Sequence, residues 1–347
     1  MSEDLSPVAP DWEGMMSNMR REGTPRRVYY FEHGVAENIQ RALDERFGIC
    51  DHLRDSDPHY EHRRREAVHR FLGHELFRVF PPGARISVPR GEGGWAEEHC
   101  GAAGSWEGFE NFTWPRPADA DLSVLEFFEH NLPPDMRLFH VIDVWEVVRD
   151  LVGFETFCFK AYDDPALVEA VFEKVGGFAV GIVEALCDFE CVGAVYLADD
   201  LGYKTGLMLS PELIRRHLMP WHRQITQLAH RHDKLLLFHC CGDMYELLDE
   251  YIEEIGIDAK HSFEQNVLPV TEANRSYGDR LTLLGGVDVD LLARGDEETI
   301  RATTRRILHE CMPGGGYFLG SGNWVTDYVP VRNYIWMLQE ARRWGTQ

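Results

Sequence analysis

The chain has 347 residues, 44% of them hydrophobic and 12% aromatic, enough apolar material for one large domain or two smaller ones. Its 35 Lys+Arg stand against 58 Asp+Glu, a formal net charge of -23. A surface that acidic repels phosphate backbones and anionic lipid, which argues against nucleic-acid and membrane partners; an anionic small molecule would need a local cluster of Arg or Lys.

In chain order, residues 1–10 read as a loose tail. They begin MSEDLSPVAP, acidic and without the apolar stretch of a secretory signal. No later run reaches the roughly 18 apolar residues of a membrane span. Residues 11–22 fit a short helix before Pro25. Expected strands then fall at 28–31, 137–142, 155–160, 193–198, 234–238, 258–263, 281–286 and 317–320. Most are short β-branched or Leu/Phe-rich runs, as in parallel strands buried on both faces. Helix starts follow most of them: Ser210-Pro211-Glu212, Asp164-Pro165, Asp296 with the glutamates after it, and Pro330. Eight β-α steps predict an α/β fold, a single (β/α)8 TIM barrel. Residues 1–26 would be an N-terminal tail and helix, and 27–347 the barrel. Residues 32–136 are too long for one crossover. They hold helical stretches near 35–47 and 60–80 and a Gly/Trp-rich segment at 85–114, an insertion expected to cap the barrel mouth. The basic run at 62–65 with His69 reads as a solvated helix face. The glycines of 313–316 and 320–322 read as tight turns around the last strand, or as phosphate-binding backbone.

Chemistry in such a barrel gathers at the C-terminal strand ends. Here the ends carry Glu32-His33, Asp199-Asp200, His239-Cys240-Cys241-Gly242, His261 and Glu264, Asp288, and Ser321-Gly322-Asn323. The stretch FHCCG is the most specific. Side chains alternate along a strand, so His239 and Cys241 share a face that Cys240 does not. Imidazole and thiolate together suit zinc, and Glu264 at the next strand end, about 4.8 Å away, would be a third ligand. A satisfied core histidine beside a small buried thiol is the competing reading. Asp199 or Asp200 would serve as a general acid/base or hold a basic group, or simply cap a loop. Asp288 is read as lining the pocket or as making a structural hydrogen bond. The eight cysteines of so large a chain are expected to be reduced, in a cytosolic protein.

Taken together, LADDLG (197–202), SPELIRRHLMPWH (210–222), FHCCG (238–242), IGIDAKHSFE (255–264), YGDRLTLLGGVDVD (277–290), PGGGYFLGSGN (313–323) and VPVRNY (329–334) resemble the uroporphyrinogen decarboxylase superfamily. That superfamily includes cobalamin-linked methyltransferases and the catalytic half of cobalamin-independent methionine synthase. The resemblance implies a TIM barrel and two chemistries. The decarboxylases are metal-free and carry an Arg-rich motif near the N-terminus. Here Arg26 and Arg27 stand in RRVYYFEHG without the rest of that motif. The methyltransferases use zinc to activate a thiol. Their ligand pattern resembles His239, Cys241 and Glu264, while their later cysteine is absent from GSGNW, and Cys311 falls before the last strand. The implied function is thiol activation by Zn2+ for methyl transfer from a corrinoid on a partner protein, or from another methyl donor. His33, Tyr203, Asp288, Ser321 and Asn323 would contact substrate. The alternatives are a metal-free lyase using Asp199 or Asp200, and a non-catalytic binder of a corrinoid or small acid.

Overall fold

A computed structural model describes residues 5–89, 99 and 101–344. Among the described residues nine strands are present: β1 (Leu76–Arg78), β2 (Arg137–Ile142), β3 (Val192–Ala198), β4 (Gly202–Tyr203), β5 (Gly206–Leu207), β6 (Leu235–His239), β7 (Ala259–His261), β8 (Thr282–Leu284) and β9 (Tyr317–Phe318). The main sheet runs β1-β2-β3-β6-β7-β8-β9, and β4 and β5 form a separate two-stranded sheet. With helices between the strands, this is the α/β fold of the TIM-barrel type that the sequence predicts.

The chain divides into two compact units. The first comprises Met1–Arg78, Asn131–Phe139 and Asp258–Gln347. In it β1 pairs in parallel with β2, Leu76 opposite Arg137. β7, β8 and β9 pair in parallel, with Ala259 opposite Thr282 and Leu283 opposite Tyr317. Tyr30 adds an isolated parallel bridge to Leu319. The second unit comprises Val79–His130 and His140–Ile257. Its centre is the parallel pair β3–β6, in register from Ala194 opposite Leu235 to Ala198 opposite His239. All five residues of β6 are buried, as a run of Leu-Leu-Leu-Phe requires on a sheet covered on both faces. The 23-residue helix Pro165–Cys187 lies over this unit. Its Gly176 lets the chain approach Trp221, whose indole would stand 2.1 Å from any Cβ placed there. Among the described residues no helix is long and apolar enough to cross a membrane.

Three expected elements differ. Residues 155–160 are not a strand but part of the helix Phe154–Asp163. The Phe, Thr and Cys content is strand-like, yet Phe157 and Ala161 bury at helical spacing and Phe157 packs edge-on to Trp145 at 4.9 Å. Tertiary packing overrides local preference there. β1 lies inside the stretch read as helical at 60–80. The helix Tyr60–Leu72 stops at Gly73, whose φ of 83° is left-handed, and the chain turns into the strand. At 28–31 only Tyr30 forms a bridge. The basic helix face is also not simply solvated: Arg64 is buried and paired to Glu37 and Glu61, and His69 is buried against Phe77 at 5.0 Å. The glycines around β9 serve turns and close approach. The Gly316 N–H donates to the Asn18 carbonyl at 2.8 Å, and a Cβ at Gly320 would fall 1.8 Å from the Phe31 carbonyl. Within the Gly/Trp-rich segment, residues 90–98 and 100 lie outside the described residues, and Trp106–Asn111 is helical.

A candidate metal centre at the ends of β3 and β6

The register of β3 against β6 builds the site. Ala198 lies opposite His239, so the residues two places further on, Asp200 and Cys241, come level as both strands end. The backbone N–H of Cys241 donates to Asp200 Oδ1 at 2.7 Å. Cys241 Sγ stands 3.4 Å from His239 Nε2, and Asp200 Oδ1 stands 3.6 Å from the same nitrogen. Among the described residues, Asp200, His239 and Cys241 are the group of His, Cys, Asp and Glu side chains whose ligand atoms all lie within 4.8 Å of one another. His239 is buried, while Cys241 and Asp200 are partly open to solvent. Alternation separates the two thiols as expected. Cys240 is fully buried, and its sulfur accepts the Leu201 N–H at 3.2 Å.

The donor set fits a zinc ion. Ligands held at about 2.0–2.3 Å in a tetrahedron lie roughly 3.3–3.7 Å from one another. The S···N and O···N separations of 3.4 and 3.6 Å fall in that span. One thiolate, one imidazole and one carboxylate also match the metal's preferences. A tight loop follows. Gly242 has φ 73°, and a Cβ on it would come within 2.0 Å of the Gly202 carbonyl. The Asp243 N–H donates to the Tyr203 carbonyl at 2.7 Å. The β4–β5 hairpin is thus seated on the loop, with the Tyr203 side chain 53% exposed.

Asp199 is occupied differently. It is fully buried, and its carboxylate accepts the N–H groups of Val144 and Glu146 at 3.0–3.1 Å and His222 Nε2 at 2.8 Å. His222 Nδ1 in turn meets the Tyr251 hydroxyl at 2.9 Å. The aspartate therefore pins the start of the helix Trp145–Val152, which corrects the expectation of a proton-handling group there. That helix carries Glu146, a residue the sequence reading passed over. Burial pushes its carboxyl up to about 7; Arg149 opposes the shift, and the charges of Asp200 and Asp199 add to it. The segment DVWE (143–146) directly after β2, a polar strand end with two carboxylates, is the available signal.

The remaining expected residues belong to the first unit. Glu264 follows β7, is half-buried and is not in the three-residue group, in which Asp200 stands instead. Register is the reason: residue 200 is held level with 241 by strand pairing. Ser321 is fully buried, its hydroxyl donating to Glu32 Oε2 at 2.6 Å and its N–H to Oε1 at 3.0 Å. Both its donors are used within the fold, which corrects its expected substrate contact. Burial pushes the Glu32 carboxyl up to about 8. Asp288 caps the helix Val289–Arg294 by accepting the Leu291 N–H at 2.9 Å, and it also lines an open groove of about 770 Å³ beside Arg294 and Arg306. Asn323 is half-buried. His33 lies 3.4 Å from Arg78 Nη1 and edge-on to Trp324 at 5.1 Å.

Comparison with known proteins adds three findings. The profile of the family described as uroporphyrinogen decarboxylase (URO-D) matches residues 144–344, more than half of the chain. A methyltransferase from Methanosarcina mazei is similar in structure, with a TM-score of 0.67 at 15% identity over 96% of this chain and 98% of that one. A protein assigned as a vitamin-B12 independent methionine synthase from Listeria monocytogenes overlays with a TM-score of 0.47 at 13% identity, again over 96% and 98% of the two chains. No curated protein matches the chain.

Proposed function

The chain belongs to the uroporphyrinogen decarboxylase family, and from that premise we propose that it is a zinc-dependent methyltransferase whose acceptor is a small thiol. The observation that carries this reading is the convergence of Asp200, His239 and Cys241 within 4.8 Å at two adjacent strand ends. The similar Methanosarcina mazei protein, a methyltransferase, supports it. Asp200, His239 and Cys241 would hold the metal, with a position left for the acceptor. When bound, zinc supplies the Lewis acidity that keeps a thiol in its nucleophilic thiolate form at neutral pH. The methyl donor in this reading is a corrinoid carried by a partner protein.

The chain's own residues have distinct tasks. Asp200 fixes the Cys241 backbone through the 2.7 Å bond from its N–H. Asp199 anchors the helix start that presents Glu146. With its carboxyl near 7, Glu146 can take up the proton that an entering thiol sheds. Tyr203, exposed on the hairpin, would meet a substrate or partner in this reading. All seven cysteines among the described residues are free thiols, in keeping with a reducing cytosolic setting. A metal-free lyase using Asp199 or Asp200 is the weaker reading, because Asp199 is buried and saturated with hydrogen bonds and Asp200 lies beside His239 and Cys241.

The test is thioether formation from methylcobalamin and a panel of small thiols by the zinc-supplemented protein. Activity above the uncatalysed rate, lost in Cys241→Ser, is expected. Equal rates for wild type and Cys241→Ser would refute the assignment.

A further inference from the structure

Behind the metal group, Asp199, His222 and Tyr251 are fully buried in the second unit and joined in a chain of hydrogen bonds. His222 Nε2 lies 2.8 Å from Asp199 Oδ2, and His222 Nδ1 lies 2.9 Å from the Tyr251 hydroxyl. Phe238 packs against both rings: Tyr251 stacks on it at 4.5 Å and 19°, and His222 stands 6.0 Å away. Phe238 directly precedes His239, so this packing backs the strand end that carries the metal group. Both rings are delivered by irregular helix. His222 comes soon after the π-helical turn Ile214–Leu218, and Tyr251 opens a second one, Tyr251–Ile255. Such turns are frequent at functional sites.

The chain has one self-consistent direction. A carboxylate only accepts, so His222 donates to Asp199 from Nε2. Burial holds the Tyr251 hydroxyl well above its usual range, so it keeps its proton. Giving that hydrogen to His222 Nδ1 leaves every donor of the chain paired. Were Nδ1 protonated as well, two donors would face each other in a buried site. His222 is thereby fixed as the Nε2–H tautomer.

Asp199 is the hub of this arrangement. Its backbone N–H donates to the His239 carbonyl at 3.1 Å, and its carboxylate accepts the Val144 and Glu146 N–H groups at the start of the helix Trp145–Val152. It therefore ties the end of β6 to the helix that carries Glu146. The Glu146 carboxyl is gripped at 2.7 and 2.6 Å by Arg149 of the same helix, so its position follows the helix start. A carboxylate bound only by the helix N–H groups remains able to turn about its Cβ–Cγ bond. The bond from His222 removes that freedom, and the Tyr251 hydroxyl keeps the imidazole turned toward Asp199.

We propose that His222, locked by Tyr251, is a positioning residue that acts through Asp199 to set where Glu146 stands relative to the metal group. Its effect on turnover rests on the methyl-transfer reading; the hydrogen-bond chain itself does not.

His222→Gln and His222→Leu, compared with wild type in the assay of methylcobalamin with small thiols at fixed zinc, test it. Gln keeps an N–H donor near the Nε2 position, whereas Leu fills similar space without one. In His222→Leu kcat should fall about tenfold or more, while His222→Gln stays within about threefold of wild type. The thiol KM and the zinc content should be unchanged in both. Nitrogen NMR of the wild type should show His222 protonated at Nε2 alone, and Tyr251→Phe should mix the two tautomers. Equal turnover in the Gln and Leu variants, a loss confined to KM, zinc lost together with kcat, or a wild-type ring protonated at Nδ1 would each overturn the inference. If the wild type methylates no thiol, the methyl-transfer reading fails by itself, and amide hydrogen exchange decides the positioning role. The Val144 and Glu146 N–H groups should then exchange about tenfold faster in His222→Leu than in His222→Gln, and equal protection would overturn it. Should His222→Leu fail to fold, Tyr251→Phe replaces it. That variant should lose kcat several-fold or, without turnover, the protection of the same two amides, and wild-type values in both would count against the role.

Discussion

Two adjacent carboxylates after β3 are divided by burial. Asp199 is enclosed, and its oxygens satisfy two helix N–H groups and His222. Asp200 is partly exposed; it accepts the Cys241 N–H and stands 3.6 Å from His239 Nε2. Replacing Asp199 by Ala strands three buried donors, so a loss of about 3–5 kcal/mol in urea unfolding is expected. Asp200→Ala should cost less than about 1 kcal/mol of stability while abolishing tight metal binding. A reversal of that order would mean that the two roles have been exchanged. The sequence pointed to the pair but not to the division of labour. Which of two neighbours turns inward is set by the helix that starts at Trp145, an element far away in the chain. The same applies to Glu264. Its place at the end of β7 was legible, whereas the levelling of Asp200 with Cys241 follows from the β3–β6 register, which no local pattern specifies.

At the scale of elements, the candidate metal group depends on the loop after β6. Gly242 combines φ 73° with a 2.0 Å approach to the Gly202 carbonyl, so any side chain there strains the loop and pushes the β4–β5 hairpin away. Gly242→Ala is expected to cost about 2–3 kcal/mol in thermal or urea unfolding and to raise proteolysis at Tyr203–Gly206. Full stability and an unchanged digest would show that the hairpin is not seated by this contact. Strands β2, β3 and β6 were readable because each is a mostly apolar run of five to seven residues buried over nearly all its length. β1 was not, because three residues after a helix-ending Gly73 carry no period. The helix Phe154–Asp163 was missed for the opposite reason: its aromatic, strand-like composition outweighed a weak spacing of buried positions at Phe157 and Ala161.

For the molecule as a whole, buried ionisable groups set the pH range of stability. Glu32 rises from 4.5 to about 8 on folding, so the folded state retains a proton that the unfolded chain has released. Its contribution is fully present below pH 4.5 and is lost as pH climbs to 8. His74 and His261, both down at about 3, act in the other sense between pH 3 and 6.5. Above pH 6.5 the raised carboxyls of Glu32, Glu75 and Glu146 act in the destabilising sense, so the unfolding midpoint should fall between pH 6.5 and 8.5. Glu32→Gln should flatten the upper part of that fall, and an equally steep decline in the variant would show that Glu32 does not carry it. The barrel, the family and the His239–Cys241 pairing were all legible in the sequence, because short buried strands and strand-end motifs are local features. The approach of Asp200 to that pair arises from long-range strand pairing and was not. The central claim is that Asp200, His239 and Cys241 form a metal site, and its most direct measurement is zinc stoichiometry combined with X-ray absorption at the zinc edge. The predicted result is about one zinc per chain with a single sulfur ligand plus nitrogen and oxygen, lost in Cys241→Ser and retained in Glu264→Gln. Less than about a tenth of an equivalent in zinc-replete wild type, or zinc retained by Cys241→Ser, would contradict it.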